Sequence, residues 1–249
     1  MSAQGSFARI AREGGRAALV TAVEGPAVGQ RVLIGPDGVI EGGLGDPELD
    51  ARALEVGAEL IWKERTERRE ELFVDVVAPT PRLLIFGAVE YANHLSQIAT
   101  LAHWRAYVID PRPRFATRER FPAAAEVIVA WPDKALAQLG GIDAATYIAV
   151  LTHDPKIDDE VLLAALAAEP AYIGAMGARK TQAKRSERLR EAGASEEDLE
   201  RISQPIGLDL GAFGSEEVAV SIMGELLAVR HGRDGGRLCK RDAGAGSIR

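Results

Sequence analysis

A polar cluster directly follows a short apolar run in the middle of the chain. Thr152, His153 and Asp154 come after the apolar residues 147–151, and Asp158 lies a helical turn further on. An imidazole that titrates near neutrality, flanked by a hydroxyl and a carboxylate, can transfer protons or contact a ligand. We therefore take His153 and Asp154 as candidate catalytic residues and all three as candidate cofactor-binding residues. The alternative is structural, since Asp154 and Asp158 can cap the helix that follows.

A second segment combines glycines with cations. Gly174 and Gly177 follow another apolar run, and Arg179 and Lys180 open the helical pattern that comes next. Free backbone N–H groups, the positive end of a helix dipole and two cations all stabilise a phosphate. These four residues predict a binding site for a phosphorylated ligand. In the alternative, this helix presents a solvated face, because its basic residues alternate with acidic ones.

Two further residues stand where a dinucleotide-binding domain places its fingerprint. Gly87 ends an apolar run, but Val89 replaces the second glycine of the G-x-G-x-x-G turn, and Glu90 adds a negative charge. Both changes oppose pyrophosphate binding, so Gly87 either contacts a cofactor or only permits a tight turn. Asp110 ends the following apolar run, where a carboxylate can accept hydrogen bonds from the hydroxyls of a ribose. The alternative for Asp110 is an Asp-Pro turn.

The last helical segment carries a polar stripe. Glu217, Ser221 and Glu225 recur at helical spacing, so they share one face of the helix. The two carboxylates lie roughly 12 Å apart along the axis, which is too far for a paired acid and base. We interpret these residues as packing or binding groups.

The elements that carry these residues alternate between short apolar runs and helix-length stretches. The runs at residues 83–86, 107–109, 127–129, 147–151 and 171–173 are typical of strands buried on both faces. Helical segments are predicted between these runs at residues 91–101, 133–139 and 157–168, and after the last run at residues 179–192 and, behind a Ser215 cap, 218–229. Repeated βαβ units predict an α/β fold with a doubly wound parallel sheet over residues 82–230. Such sheets bind ligands outside the carboxyl ends of their strands.

The first 78 residues predict a small α+β domain. Residues 17–23, 31–34 and 39–40 are strand-like, and Gly35-Pro36-Asp37-Gly38 predicts a hairpin turn. Residues 47–63 have helical spacing, and residues 72–77 predict a strand. Pro79-Thr80-Pro81 interrupts both helix and ladder hydrogen bonding and marks a domain boundary. At the other end, residues 231–249 are rich in Gly and Arg, and we expect them to be disordered.

Composition limits the partners of the chain. With 249 residues and a formal net charge of −7, it repels nucleic acid at long range. Cys239 is the one cysteine, so no internal disulfide can form. A single cysteine does not predict a metal site, and neither does His153 with the carboxylates that can cap its helix. No apolar run approaches the roughly 20 residues of a membrane span, and the N-terminus lacks the hydrophobic stretch of a signal peptide. We expect a cytoplasmic protein without a membrane span or a nucleic-acid partner.

Taken in order, these segments resemble the XdhC/CoxI family, accessory proteins for molybdenum hydroxylases such as xanthine dehydrogenase and carbon monoxide dehydrogenase. The resemblance is strongest over residues 83–230 and rests on Leu151-Thr152-His153-Asp154 with Asp158, Tyr172-Ile173-Gly174 through Gly177-Ala178-Arg179-Lys180, Pro205-Ile206-Gly207-Leu208-Asp209-Leu210-Gly211-Ala212, and Glu216-Glu217-Val218-Ala219-Val220-Ser221-Ile222. It implies a Rossmann-like domain behind a small N-terminal domain. It also implies a homodimer that binds molybdenum cofactor (molybdopterin) and assists its insertion or sulfuration in a partner hydroxylase. The residues expected to line the cofactor cleft are Gly87, Asp110, Thr152, His153, Asp154, Gly174, Gly177, Arg179 and Lys180.

The chain departs from the family pattern at two places. Family members carry Gly-Gly-Cys in the N-terminal domain, where this chain has Gly42-Gly43-Leu44, so a thiolate is absent there. In the C-terminal domain, the family's first glycine turn is usually richer in glycine than residues 87–92 here, and its Gly-Ser-Arg piece is Gly177-Ala178-Arg179. These departures indicate a divergent member. Two other hypotheses stay open: an NAD(P)-dependent oxidoreductase that uses the Asp110 side of the cleft, and a scaffold that binds only protein.

Overall fold

The computed structural model describes residues 2–240. The chain divides into two compact units, with the division between Thr80 and Pro81. Of the tail predicted to be disordered, residues 231–240 are described and end in a short 3₁₀ turn at Leu238–Lys240, whereas residues 241–249 lie outside the described residues. Within the described range, no helix is long and apolar enough to cross a membrane.

The N-terminal unit combines an antiparallel sheet with two helices. Its elements are α1 (Ala3–Arg12), β1 (Ala17–Ala22), β2 (Arg31–Gly35), β3 (Gly38–Gly43), α2 (Pro47–Lys63), β4 (Glu67–Arg69) and β5 (Leu72–Val77). The strands lie in the order β3-β2-β1-β5-β4, and β2 and β3 form the predicted hairpin. α2 begins where predicted, because Oδ1 of Asp46 accepts hydrogen bonds from the N–H groups of Glu48 and Leu49.

The sequence pattern did not predict α1. Its apolar face consists of Ala3, Phe7 and Ile10, which pack with Leu19 and Leu33 of the sheet. The other positions of this helix are polar, charged or small, so its apolar pattern is short and easily overlooked. An apolar residue at every third or fourth position was the signal that could have found it.

The C-terminal unit confirms the predicted α/β class with a parallel sheet. Its elements are β6 (Arg82–Phe86), α3 (Glu90–Leu101), β7 (Arg105–Ile109), β8 (Glu126–Ile128), α4 (Pro132–Gln138), β9 (Thr146–Val150), α5 (Pro155–Ala168), β10 (Tyr172–Ala175), α6 (Arg179–Glu191), α7 (Glu196–Glu200), β11 (Ile202–Ser203) and α8 (Ser215–Arg230). The six strands lie in the order β11-β10-β9-β6-β7-β8, and neighbouring strands are parallel. The strand order therefore reverses between β6 and β9.

Helices cover both faces of this sheet. On one face, Leu95 of α3 and Leu226 of α8 belong to the same buried cluster as Ile85 of β6. On the other face, Val161 of α5 lies in a cluster with Phe86. Because each strand is covered on both sides, its residues form a continuous apolar run rather than an alternating one.

The start of α8 corrects one local prediction. Ser215 is the first helical residue, and the N-cap position is Gly214, with a φ of 99° and no side-chain cap. Ser215 is therefore not the cap that its residue type predicted. The helix also begins earlier than the predicted residue 218, because the polar residues of its first turn hid the start of the apolar pattern.

Candidate functional site

A cavity of about 640 Å³, which we call the central cavity, is lined by loops at the carboxyl ends of three strands. The loop after β6 contributes Val89, and α3 contributes Tyr91. Arg112 comes from the loop after β7, and residues 151–155 follow β9. The reversal of strand order between β6 and β9 is the place at which open α/β sheets bind ligands. Thr152, His153 and Asp154 thus share one cavity wall.

Gly87 allows the β6 loop to pass close to the β9 loop. Its φ is 114°, and a Cβ at this position would lie 2.9 Å from the backbone nitrogen of Thr152. Its own N–H donates a hydrogen bond to the carbonyl of Ile109 at 2.9 Å. A side chain here would push the two loops apart, so the geometry agrees with the tight-turn alternative.

Asp110 joins two loops from a fully buried position. Its Oδ2 accepts hydrogen bonds from the N–H of Ala88 at 2.9 Å and from Nη2 of Arg112 at 2.7 Å. Its Oδ1 accepts from the N–H and the Nε of Arg112 at 3.0 and 2.8 Å. Each carboxylate oxygen already accepts two hydrogen bonds, an arrangement that agrees with the turn alternative rather than with a ribose contact. Although burial raises the pKa of Asp110, the hydrogen bonds from Arg112 and Ala88 outweigh it and hold the pKa below its usual range.

The polar cluster after β9 is organised as a helix cap. Oδ1 of Asp154 accepts a hydrogen bond from the N–H of Lys156 at 3.0 Å, which makes Asp154 the N-cap of α5. Oγ1 of the buried Thr152 accepts from the N–H of Asp154 at 2.8 Å. His153 is exposed and lines the central cavity. The structural alternative therefore accounts for Thr152 and Asp154, whereas His153 remains open to a ligand.

A second cavity of about 230 Å³ lies beside the first turns of α6, and we call it the basic cavity. Its lining residues are His153, Pro155, Asp158, Lys180, Thr181, Lys184 and Arg188, so it shares His153 and Pro155 with the central cavity. The three cations recur every four residues and come from one face of the helix. Arg188 is held by Asp159 through hydrogen bonds of 2.5 and 2.9 Å. Within residues 2–240, neither lysine forms an ion pair, so both charges remain for a ligand.

The glycine segment before α6 differs from the sequence-based expectation. Gly174 does not lie in a loop: it belongs to β10, and a Cβ there would lie 2.5 Å from the hydroxyl of Tyr172. This geometry supports a packing role for Gly174. Gly177 does lie in the turn, with a φ of 149°. Lys180 lines the basic cavity, whereas the exposed Arg179 is not among the lining residues.

A buried ion pair at the basic cavity was missed by sequence reasoning. Asp158 is 2% exposed and Arg185 is 0% exposed. Nη2 of Arg185 donates to Oδ2 of Asp158 at 3.0 Å and to the carbonyl of Met176 at 2.8 Å. Oδ1 of Asp158 and Nε of Arg185 have no hydrogen-bond partner in the described part of the chain. Burial raises the pKa of Asp158 to about 6, although Arg185 opposes this effect.

The polar stripe on α8 holds the segment that leads from β11 into this helix. Oε2 of Glu225 accepts hydrogen bonds from the hydroxyl of Tyr172 at 2.5 Å and from the N–H of Gly207 at 2.6 Å. Burial and the neighbouring Glu225 raise the pKa of Tyr172. Oγ of Ser221 donates to the carbonyl of Leu208. Oε2 of Glu217 accepts a hydrogen bond from the N–H of Phe213, in the same segment. These contacts agree with a packing role.

The described residues offer neither a metal centre nor a thiol at the family's cysteine position. Among residues 2–240, no group of three or more His, Cys, Asp or Glu could hold a metal ion. Cys239 is exposed. In the N-terminal unit, Leu44 is buried in the core, and its N–H donates to Oδ1 of Asp50 at 2.6 Å.

Six parallel strands in this order, with helices on both faces and a cavity at the strand reversal, define a Rossmann-type α/β domain. A model of the XdhC Rossmann domain matches residues 83–226. The chain therefore belongs to the XdhC family, which confirms the resemblance found in the sequence.

Individual relatives agree with this membership. A protein of Bacillus subtilis (strain 168) described as a probable xanthine dehydrogenase subunit is 30% identical over 166 residues, which cover 66% of this chain and 47% of that protein. The molybdenum cofactor insertion chaperone PaoD of Escherichia coli (strain K12) is 30% identical over 152 residues, which cover 61% of this chain and 41% of that protein. The chain thus spans less than half the length of these curated relatives.

The fold itself has a counterpart in a crystal structure described as a xanthine dehydrogenase from Bacillus halodurans. The two structures superpose with a TM-score of 0.62 at 23% sequence identity, covering 94% of this chain and 64% of that chain. At this identity, the likeness shows a shared fold.

Proposed function

We propose that this chain is an accessory factor that binds molybdenum cofactor and assists its insertion or sulfuration in a molybdenum hydroxylase. Membership of the XdhC family supports this function, as does the similarity to a protein named as a molybdenum cofactor insertion chaperone. The observation that carries the proposal is the basic cavity, where Lys180 and Lys184, which form no ion pair within residues 2–240, lie beside the central cavity.

The two adjoining cavities suit a ligand with two chemically different ends. Lys180 and Lys184 provide positive charge for the phosphate of the cofactor, and the hydroxyl of Thr181 is a further donor. Val89 and Tyr91 give the central cavity an apolar and aromatic surface for the pterin rings. His153 lines both cavities and is in reach of either end.

The proposed function assigns the chain a binding role and no chemistry at the metal. Leu44 is an aliphatic residue of the core, and the exposed Cys239 lies near the end of the described chain, so the proposal assigns no molybdenum ligand. His153 and Asp154, the candidate catalytic residues of the sequence, act here as a wall and a helix cap. The chain binds and presents the organic part of the cofactor.

Charge reversal tests the placement of the phosphate. The double variant Lys180→Glu/Lys184→Glu should retain at least about tenfold less molybdopterin after gel filtration, because each reversed charge beside a phosphate weakens binding by roughly 1 kcal/mol. Retained pterin is measured by the fluorescence of its oxidised form. Lys134→Glu is the matched control, since this exposed lysine of α4 lines neither cavity. Equal retention by the double variant and the control would show that the phosphate does not bind here.

The proposal has further parts with their own tests. The partner is a molybdenum hydroxylase, the protein acts as a homodimer, and both work in the cytoplasm. Affinity capture from the native host followed by mass spectrometry should recover the hydroxylase, and light scattering should give twice the chain mass.

Titration with NADH and NADPH should give no saturable fluorescence change, because all four acceptor positions of the Asp110 carboxylate are already occupied. Saturable binding with hydride transfer would favour the oxidoreductase instead.

A further inference from the structure

The wall of the basic cavity contains one carboxylate among its cations. Asp158 lines this cavity together with Lys180, Lys184 and Arg188. Its side chain is almost fully buried, and its Oδ1 has no hydrogen-bond partner among the described residues. An ionised carboxylate in this position cancels part of the attraction that the lysines exert on an anion. A neutral carboxyl group does not.

Charged groups reach Asp158 from three directions. Arg185 of α6 forms the buried ion pair, and His153 of the β9 loop also stabilises the negative charge. Asp159, its neighbour on α5, raises the pKa of Asp158 through its own negative charge, and it is itself paired with Arg188. Burial is the largest influence and raises the pKa of Asp158 to about 6. The group therefore changes its charge close to neutral pH, where most carboxylates are fully ionised.

We propose that the basic cavity binds a phosphate-type oxyanion together with one proton, and that Asp158 carries this proton. The inference rests on the proposed function, because it describes how the same site holds the phosphate of its cargo. The proton comes from solvent and converts the carboxylate of Asp158 to a carboxyl group. Linkage requires that the proton and the anion strengthen each other's binding by the same factor. Anion affinity therefore falls as the pH rises through the range in which Asp158 ionises.

Inorganic sulfate is the probe, because it stays fully ionised over the range studied, so that only the protein titrates. His153 also lines the cavity and is removed as a source of pH dependence by His153→Gln. In the full chain carrying this substitution, the dissociation constant for sulfate should rise about tenfold from about pH 5 to pH 8. Adding Asp158→Asn should reduce this change to less than about twofold. A double variant that keeps the tenfold change overturns the proposal.

A second measurement does not depend on how the Asn variant folds. Calorimetric titration of His153→Gln with sulfate at about pH 6.5, in two buffers of different ionisation enthalpy, gives the number of protons taken up. We expect between about 0.3 and 1 proton per sulfate bound. Uptake indistinguishable from zero would show that the anion and the proton bind independently.

One further variant separates the two proposals. Lys184→Glu should weaken sulfate binding by at least about fivefold at every pH, because it places a negative charge in the cavity wall. If Lys184→Glu weakens sulfate binding but the affinity of His153→Gln does not change with pH, the anion site stands and its coupling to Asp158 is wrong. If Lys184→Glu binds sulfate as the wild-type chain does, the site of the proposed function is itself wrong.

Discussion

At the scale of single residues, two buried groups determine how closely the loops of the central cavity approach. Gly87 lets the β6 loop contact the backbone of Thr152, and Asp110 holds this loop to Arg112. Neither residue needs to touch a ligand to matter. Both keep the carboxyl ends of β6, β7 and β9 in one arrangement, so that His153 and Arg112 lie in the same cavity wall.

Gly87→Ala should therefore destabilise the protein more than an ordinary glycine substitution. The new methyl group would meet the backbone of Thr152 at 2.9 Å, in addition to the strain of a φ of 114°. We expect a loss of about 2–4 kcal/mol in the free energy of unfolding, measured in urea. Gly140→Ala is the control, because its φ of 77° is also positive but nothing lies within 4 Å of its Cβ. Its cost should be about 1 kcal/mol, and equal losses in the two variants would contradict the close approach.

Residue types predicted some of these roles and concealed others. Asp154 was recognised as a possible helix cap because a cap is local in sequence and needs only its own helix. The pairing of Asp158 with Arg185 is not local, and each residue had a plausible local explanation, as a cap or as part of a solvated face. The signal that could have found Arg185 is its position one turn before Leu189, the two buried residues of an otherwise polar helix.

At the scale of elements, the apolar runs predicted the strands because burial on both faces leaves little room for polar residues. The end of a strand is less visible in the sequence. Gly174 was expected in a loop because it is a glycine, whereas it continues β10 to make room for the hydroxyl of Tyr172. Similarly, the stripe on α8 was recognised from its spacing, but only the fold shows that it holds the segment after β11.

Glu225→Gln tests this role of α8. The substitution weakens the hydrogen bonds that Oε2 accepts from Tyr172 and from the N–H of Gly207, because the amide oxygen carries no full charge. We expect faster amide exchange across residues 204–214 and a loss of about 1–2 kcal/mol in the free energy of unfolding. Glu216→Gln on the same helix is exposed and should change neither quantity. Unchanged exchange in Glu225→Gln would show that this segment is held by other contacts.

At the scale of the whole molecule, each unit has a hydrophobic core of its own. Leu60 and Ile61 belong to a cluster within the N-terminal unit, whereas both clusters of the parallel sheet lie beyond Pro81. The residues lining the central cavity and the basic cavity also all come from the C-terminal unit. The composition of the chain does not indicate two units with separate cores. The change from a hairpin pattern to a βαβ pattern near residue 80 does indicate them.

A fragment of residues 81–240 should therefore fold alone and keep the proposed anion site. We expect a single cooperative urea transition and a dissociation constant for sulfate within about twofold of that of the full chain. The complementary fragment, residues 1–80, serves as the control and should not bind sulfate. A C-terminal fragment that unfolds without cooperativity, or that folds but loses sulfate, would show that the N-terminal unit is required.

Under the proposed function, the exposure of Lys180 and Lys184 has a consequence for how the cofactor leaves. Ammonium groups that remain in contact with water hold an anion through charges that dissolved salt screens within about 8 Å. Departure then needs no rearrangement of the carrier. A recipient that surrounded the same phosphate with dehydrated arginine side chains would bind it more tightly and take it up by competition alone.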